Sequence, residues 1–113
     1  MGLNLSNRHS HPALLNGAAV TGLTSSNGFR IHVPAGTKKL TVSTQGPTGT
    51  SSDEGQAFLY VRNLWPVSSS SCSCASTRAS ISNACTITDP VAGTWFIQTT
   101  STHGVYDLKA TFE

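Results

Sequence analysis

Apolar residues recur at every second position in short runs along this chain. Phe29, Ile31 and Val33 alternate with Arg30 and His32, and Leu40 and Val42 alternate with Thr41 and Ser43. Near the C-terminus Tyr106, Leu108, Ala110 and Phe112 alternate with Asp107, Lys109 and Thr111. A period of two places each set on one face of an extended strand. Ala57-Phe58-Leu59-Tyr60-Val61-Arg62 and Thr94-Trp95-Phe96-Ile97-Gln98-Thr99 predict two further strands, apolar on both faces. In the second of these, Trp95 and Ile97 share the face with the heavier apolar load and are expected in the core. Ala84–Thr88 predicts a short strand, and Leu14–Val20 an opening strand or extended arm with a turn at Asn16-Gly17.

Turn signals separate the runs. Pro34-Ala35-Gly36-Thr37 and Asp89-Pro90-Val91-Ala92-Gly93 join a residue of preset φ to one that tolerates φ > 0. Gln45 to Gln56 and Leu64 to Ser71 read as polar loops, and no window holds a 3.6-residue apolar period for three turns. The fold class this predicts is all-β: an antiparallel β-sandwich, jelly-roll or immunoglobulin-like, of seven to eight short strands. Residues 1–12 lack periodicity and read as a flexible tail or linker, with one domain over 13–113.

Composition narrows the function classes. Charged residues are 11% of the chain, and 16 Ser and 15 Thr fill their place, which excludes a coiled coil and a charge-driven disordered tail. A net charge of +2, with no basic cluster beyond Lys38-Lys39, does not make a nucleic-acid footprint. No apolar run reaches the ~20 residues of a membrane helix. Met1-Gly2-Leu3-Asn4 does not open a basic-then-apolar leader, as expected of a piece cut from a longer secreted protein. Lys38, Lys39 and Arg30 read as solvated charges that flank predicted edge positions, where Lys discourages strand-on-strand aggregation.

No catalytic residue is assigned. No Ser sits in a Gly-x-Ser-x-Gly elbow, and the four His are scattered at His9, His11, His32 and His103. The aromatics are the binding candidates. Trp65 stands in a loop before Pro66, outside any alternating strand, and either stacks on a ligand or folds back as a lid. Tyr60 and Phe58 share the Arg62 side of their strand, so that face is expected to meet solvent in part, although strand aromatics commonly pack across strands. Trp65, Tyr60, Phe58 and Arg62 together form the predicted ligand-binding set, because exposed rings bury area at low entropic cost.

The order Leu15-Asn16-Gly17, Val20-Thr21-Gly22-Leu23, Val33-Pro34-Ala35-Gly36, Leu40-Thr41-Val42, Leu59-Tyr60-Val61-Arg62 and Pro90-Val91-Ala92-Gly93-Thr94-Trp95-Phe96-Ile97 resembles the bacterial pre-peptidase C-terminal domain family. The resemblance runs from about Leu14 to Phe112. It implies a β-sandwich that is a non-catalytic accessory domain of a secreted bacterial protease, aiding secretion and maturation or holding the enzyme on insoluble protein or polysaccharide. The alternative is a stand-alone protease inhibitor or adhesin-type protein-binding module, with a tip around Asn63 to Val67. The implied partners are the parent protease's catalytic domain and such a substrate, with no nucleic acid and a monomeric state.

The family's two half-cystines fall on Cys74 and Cys85, with ten residues between them. That disulfide implies an oxidising, extracellular or periplasmic location and leaves Cys72 free. The rival is a zinc site of Cys72, Cys74, Cys85 and His103, for which Cys-x-Cys is a poor spacing. No metal or other cofactor is expected. The resemblance raises calcium, but Gln56 and Phe58 stand where relatives carry acids, and Asp53-Glu54 alone is a thin supply of oxygen ligands.

Overall fold

The computed structural model of the chain describes residues 12–46, 56–63, 73–77 and 80–113. They hold β1 (Val20–Leu23), β2 (Asn27–Val33), β3 (Lys39–Gln45), β4 (Gln56–Asn63), β5 (Cys74–Ser76), β6 (Asn83–Thr88), β7 (Gly93–His103) and β8 (Tyr106–Phe112). These form two antiparallel four-stranded sheets, ordered β1-β8-β3-β6 and β2-β7-β4-β5. The pairs β1 with β8, β2 with β7, β3 with β6 and β4 with β5 nest inside one another. A single long two-stranded ribbon has in effect been wound over itself, and β3 with β8 and β4 with β7 complete the sheets. That winding is the jelly roll. Of the two sandwich types the sequence leaves open, the topology selects this one.

The period-two patterns face inward as read. Phe29, Ile31, Val33, Leu40, Val42, Leu59, Val61, Trp95, Ile97, Leu108 and Ala110 make the core between the sheets. Trp95 is 4% exposed, and its indole N–H donates to the Val91 carbonyl (3.0 Å), which settles the polar end of the ring. The turns also form where Gly allows them: Gly36 between β2 and β3 has φ 88°, and Gly17 in the opening turn has φ 78°.

Two buried polar knots tie one sheet to the other. The hydroxyl of Tyr106 on β8 meets Thr99 Oγ1 on β7 (2.5 Å), donates to the Ser25 carbonyl (2.6 Å) and accepts from Asn27 Nδ2 (3.3 Å). Asn83 on β6 donates through Nδ2 to the Ala57 carbonyl on β4 (2.7 Å) and the Ser80 carbonyl (3.1 Å), and accepts from the Ser76 hydroxyl (2.7 Å). Its backbone N–H donates to Thr44 Oγ1 (3.0 Å). Buried amides and hydroxyls are costly unless paired, and here each has partners.

Each flank of the sandwich has its own closure. On the β5–β6 side the Cys74–Cys85 disulfide joins the edge strands of the two sheets. On the β1–β2 side the arm before β1 crosses from sheet to sheet. Leu14 N–H donates to the Arg30 carbonyl (2.7 Å), and Arg30 N–H donates to the Pro12 carbonyl (3.0 Å), so the arm lies parallel on the outer edge of β2. Leu14 is buried in the core. Asn16 then reaches β8: its Nδ2 donates to the Phe112 carbonyl (3.1 Å), and its Oδ1 accepts from Phe112 N–H (2.8 Å).

The edge reading of the lysines is corrected by the topology. Lys39 lies on β3, between β8 and β6, and is not on an edge strand. The backbones of Lys38 and Lys39 instead clasp the C-terminus, both N–H groups donating to the Glu113 carbonyl (2.7 and 3.2 Å). Arg30 does lie on an edge strand.

Candidate functional site

The second sheet, β2-β7-β4-β5, turns the Trp95 side inward, so its other side carries the alternate residues. Register fixes who neighbours whom there. Phe96 on β7 sits opposite Arg30 on β2 and opposite Arg62 on β4. One row along, Gln98 sits opposite Gly28 and Tyr60, and Tyr60 sits opposite Ala75 on β5. Phe58 follows, opposite Thr100. Directly opposed side chains have Cβ atoms about 5 Å apart, so each row is a contiguous surface.

Three of the four predicted binding residues therefore share this face, and they differ in how much they offer. Phe58 and Arg62 are half-buried. Tyr60 is 8% exposed, so it presents little ring to a ligand and behaves as a packed strand aromatic, flanked by Gln98 and Ala75 in register. Trp65, Pro66 and Val67 lie outside the described residues, as do Cys72, Asp53 and Glu54 and the tail His9 and His11.

Phe96 and Arg30 are members of this face that sequence reasoning left out of the binding set, Arg30 having been read only as a solvated charge. Alternation does put Phe96 opposite to Trp95, but which residues stand beside it depends on the pairing of β2 and β4 with β7, strands far apart in the chain. Half-buried Phe96, flanked by two guanidinium-bearing positions, is the centre of the face.

The disulfide removes the zinc alternative. Cys74 and Cys85 are bonded to each other, which takes two of the four proposed thiolate and imidazole ligands. Among the described residues no three His, Cys, Asp or Glu side chains gather as a metal site. No helix among them is long and apolar enough to cross a membrane.

The family model described as the bacterial pre-peptidase C-terminal domain matches residues 25–101. The chain belongs to the bacterial pre-peptidase C-terminal domain family. The match spans β2 to β6 entire and β7 as far as Ser101, and it includes both half-cystines. The family consists of non-catalytic accessory domains, typically C-terminal in secreted proteases. Solved structures share the fold. The pre-peptidase C-terminal domain of collagenase from Bacillus anthracis aligns with TM-score 0.63 at 9% identity, covering 89% of this chain and 96% of that one. PliG of Aeromonas hydrophila, a periplasmic inhibitor of g-type lysozyme, aligns with TM-score 0.62 at 12% identity, covering 92% and 96%. At such identities the likeness is one of architecture. No curated protein sequence matches the chain significantly.

Proposed function

We propose that this chain is the accessory domain of a secreted bacterial protease, occupying residues 13–113 behind a linker at 1–12, and that it works by surface contact and performs no reaction of its own. The observation that carries this reading is the family match over residues 25–101, on a sandwich whose two edges are joined by a disulfide. A disulfide fits a domain that operates outside the reducing cytosol. Two jobs follow: helping the precursor through export and maturation, and holding the enzyme on an insoluble substrate. The second is tested by adsorbing the purified chain to insoluble collagen, chitin and cellulose and measuring the fraction depleted from solution. Depletion on at least one support is expected, and full recovery from all three overturns the holding role.

A second reading has its own support. The likeness to PliG covers 92% of this chain, and that protein is an inhibitor of g-type lysozyme. On this reading the jelly roll is a stand-alone protein-binding module. Residual activity of a g-type lysozyme and of common serine and metalloproteases, titrated with the chain, decides it. Stoichiometric loss of activity supports the inhibitor, and unchanged activity at tenfold excess removes it.

A further inference from the structure

The outer face of β1-β8-β3-β6 holds a shallow hollow of about 230 Å³, lined by Ser43, Thr44, Gln45, Ser82, Asn83 and Ala84. Alternation sets its parts. Thr44 and Asn83 are buried and close it below, while Ser43 and Gln45 on β3 and Ser82 and Ala84 at the start of β6 stand on the solvent side. In register Ser43 sits opposite Ala84 on one side and Lys109 on the other. The side chain of Ala84 ends at Cβ, which leaves the hollow open toward β6.

The polar groups at this hollow differ from those elsewhere in the sandwich. Thr37, Thr44 and Thr99 donate their hydroxyls to the Pro34, Ile81 and Asn27 carbonyls. The Ser43 and Ser82 hydroxyls and the Gln45 side-chain amide make no hydrogen bond to the described residues. Together they present both donors and acceptors to whatever enters. The charged side chains beside the hollow in register are Lys109 opposite Ser43 and Asp107 opposite Gln45, one of each sign. Asp107 Oδ1 already accepts from Gly22 N–H (3.1 Å).

We propose that this hollow seats the acetamido group of a neutral N-acetylated polysaccharide. The inference rests on the substrate-holding role proposed above, and it names the ligand class and the site. The amide N–H donates to a serine hydroxyl, Ser43 or Ser82, its carbonyl accepts from the Gln45 amide, and its methyl lies against the Ala84 Cβ. A charged polymer of either sign meets a like charge at Asp107 or Lys109, and a neutral one does not. A polysaccharide without the acetamide leaves the hollow unfilled. Peptides that bind sheets add a strand at an edge and draw affinity from the main-chain ladder, whereas this site lies on a face.

The test titrates the isotope-labelled full chain with chitohexaose, six β-1,4-linked N-acetylglucosamine units, and follows amide shifts by NMR. Saturable shifts at Ser43, Gln45, Ser82 and Ala84 are expected, with a Kd on the order of 1 mM for a few neutral hydrogen bonds at an open site. Cellohexaose, which lacks the acetamide, should bind at least about tenfold more weakly. S43A and Q45A should each weaken chitohexaose binding about threefold, one neutral hydrogen bond apiece. A84L fills the hollow from the solvent side and should weaken it more than about tenfold, while H32Q on the outer face of the other sheet should not change it. Equal melting temperatures of the variants exclude unfolding as the cause. Absence of saturable shifts, cellohexaose bound as tightly as chitohexaose, A84L binding like the unmodified chain, or gelatin peptides shifting the same residues as strongly would each overturn the inference. If it falls while the chain still adsorbs to collagen, chitin or cellulose, the holding role stands and only the ligand class and its site are lost.

Discussion

Breaking the Cys74–Cys85 bond should cost this domain a large fraction of its stability. The bond spans a sequence separation of 11 and ties β5, at the edge of one sheet, to β6, at the edge of the other. Closing a loop of that size in the unfolded chain removes entropy equivalent to about 3 kcal/mol. Small domains hold roughly 5–15 kcal/mol in all. Reduction leaves both sulfurs where they were, Cys85 at 1% exposure opposite Val42, so little packing is lost and the loop contribution dominates. For a chain of this length about 3 kcal/mol corresponds to a fall in Tm of about 10 °C. Melting is followed by far-UV circular dichroism with and without a phosphine reductant, and thiols are titrated in oxidising denaturant. One free thiol, on Cys72, is expected. A shift below about 3 °C would refute the loop-closure reasoning, and three titrating thiols would refute the pairing itself.

The polar knots give two further predictions. Tyr106→Phe keeps the ring and deletes the hydroxyl shared by Thr99, Ser25 and Asn27, and should cost about 1–2 kcal/mol in urea denaturation, with no change in the far-UV spectrum. Asn83→Ala removes the amide that joins β6 to the Ala57, Ser80 and Ser76 groups, taking its donor from the buried Ala57 carbonyl while the Ser80 carbonyl keeps the Ala57 N–H, and should cost about 3 kcal/mol. If Asn83→Ala costs less than Tyr106→Phe in the same assay, the weight placed on that knot is misplaced.

Much of the fold was legible in the sequence because it rests on local rules. Alternation placed Phe29, Ile31, Val33, Leu40, Val42 and Trp95 correctly on inward faces, since a strand has only two faces and one of them is buried. Gly36 marked its turn because it alone can take φ 88° there without strain. Strand β5 was not legible: Cys74-Ala75-Ser76 has small side chains and no alternation, and it is held as a strand by pairing with Leu59, Tyr60 and Val61 and by the disulfide. The continuation of β7 to His103, past the expected end at Thr99, comes likewise from pairing with β4, where Gln56 faces His103. Thr99 itself, polar yet buried, reads as an oddity until the Tyr106 hydroxyl is found beside it.

The candidate site was half visible for the same reason. Phe58, Tyr60 and Arg62 follow from one strand's alternation. The row through Arg30, Phe96 and Arg62 needs three strands in register, and nothing local encodes which residue of β2 or β4 stops beside Phe96. The lysines at 38 and 39 read as flanking an edge, whereas β3 is central, because edge or centre is a property of strand order, and in a jelly roll that order is set by distant pairings.

Deleting the domain from the protease it is proposed to belong to tests the accessory role most directly. Secreted enzyme, processed enzyme and hydrolysis of a soluble peptide and of an insoluble substrate are measured with and without it. The account predicts that the matured catalytic part keeps its rate on the soluble peptide, while either export or degradation of the insoluble substrate falls several-fold. Loss of soluble-peptide turnover by the correctly folded, mature enzyme would mean that this jelly roll takes part in the chemistry, and the reading of it as a surface-bearing accessory would be wrong.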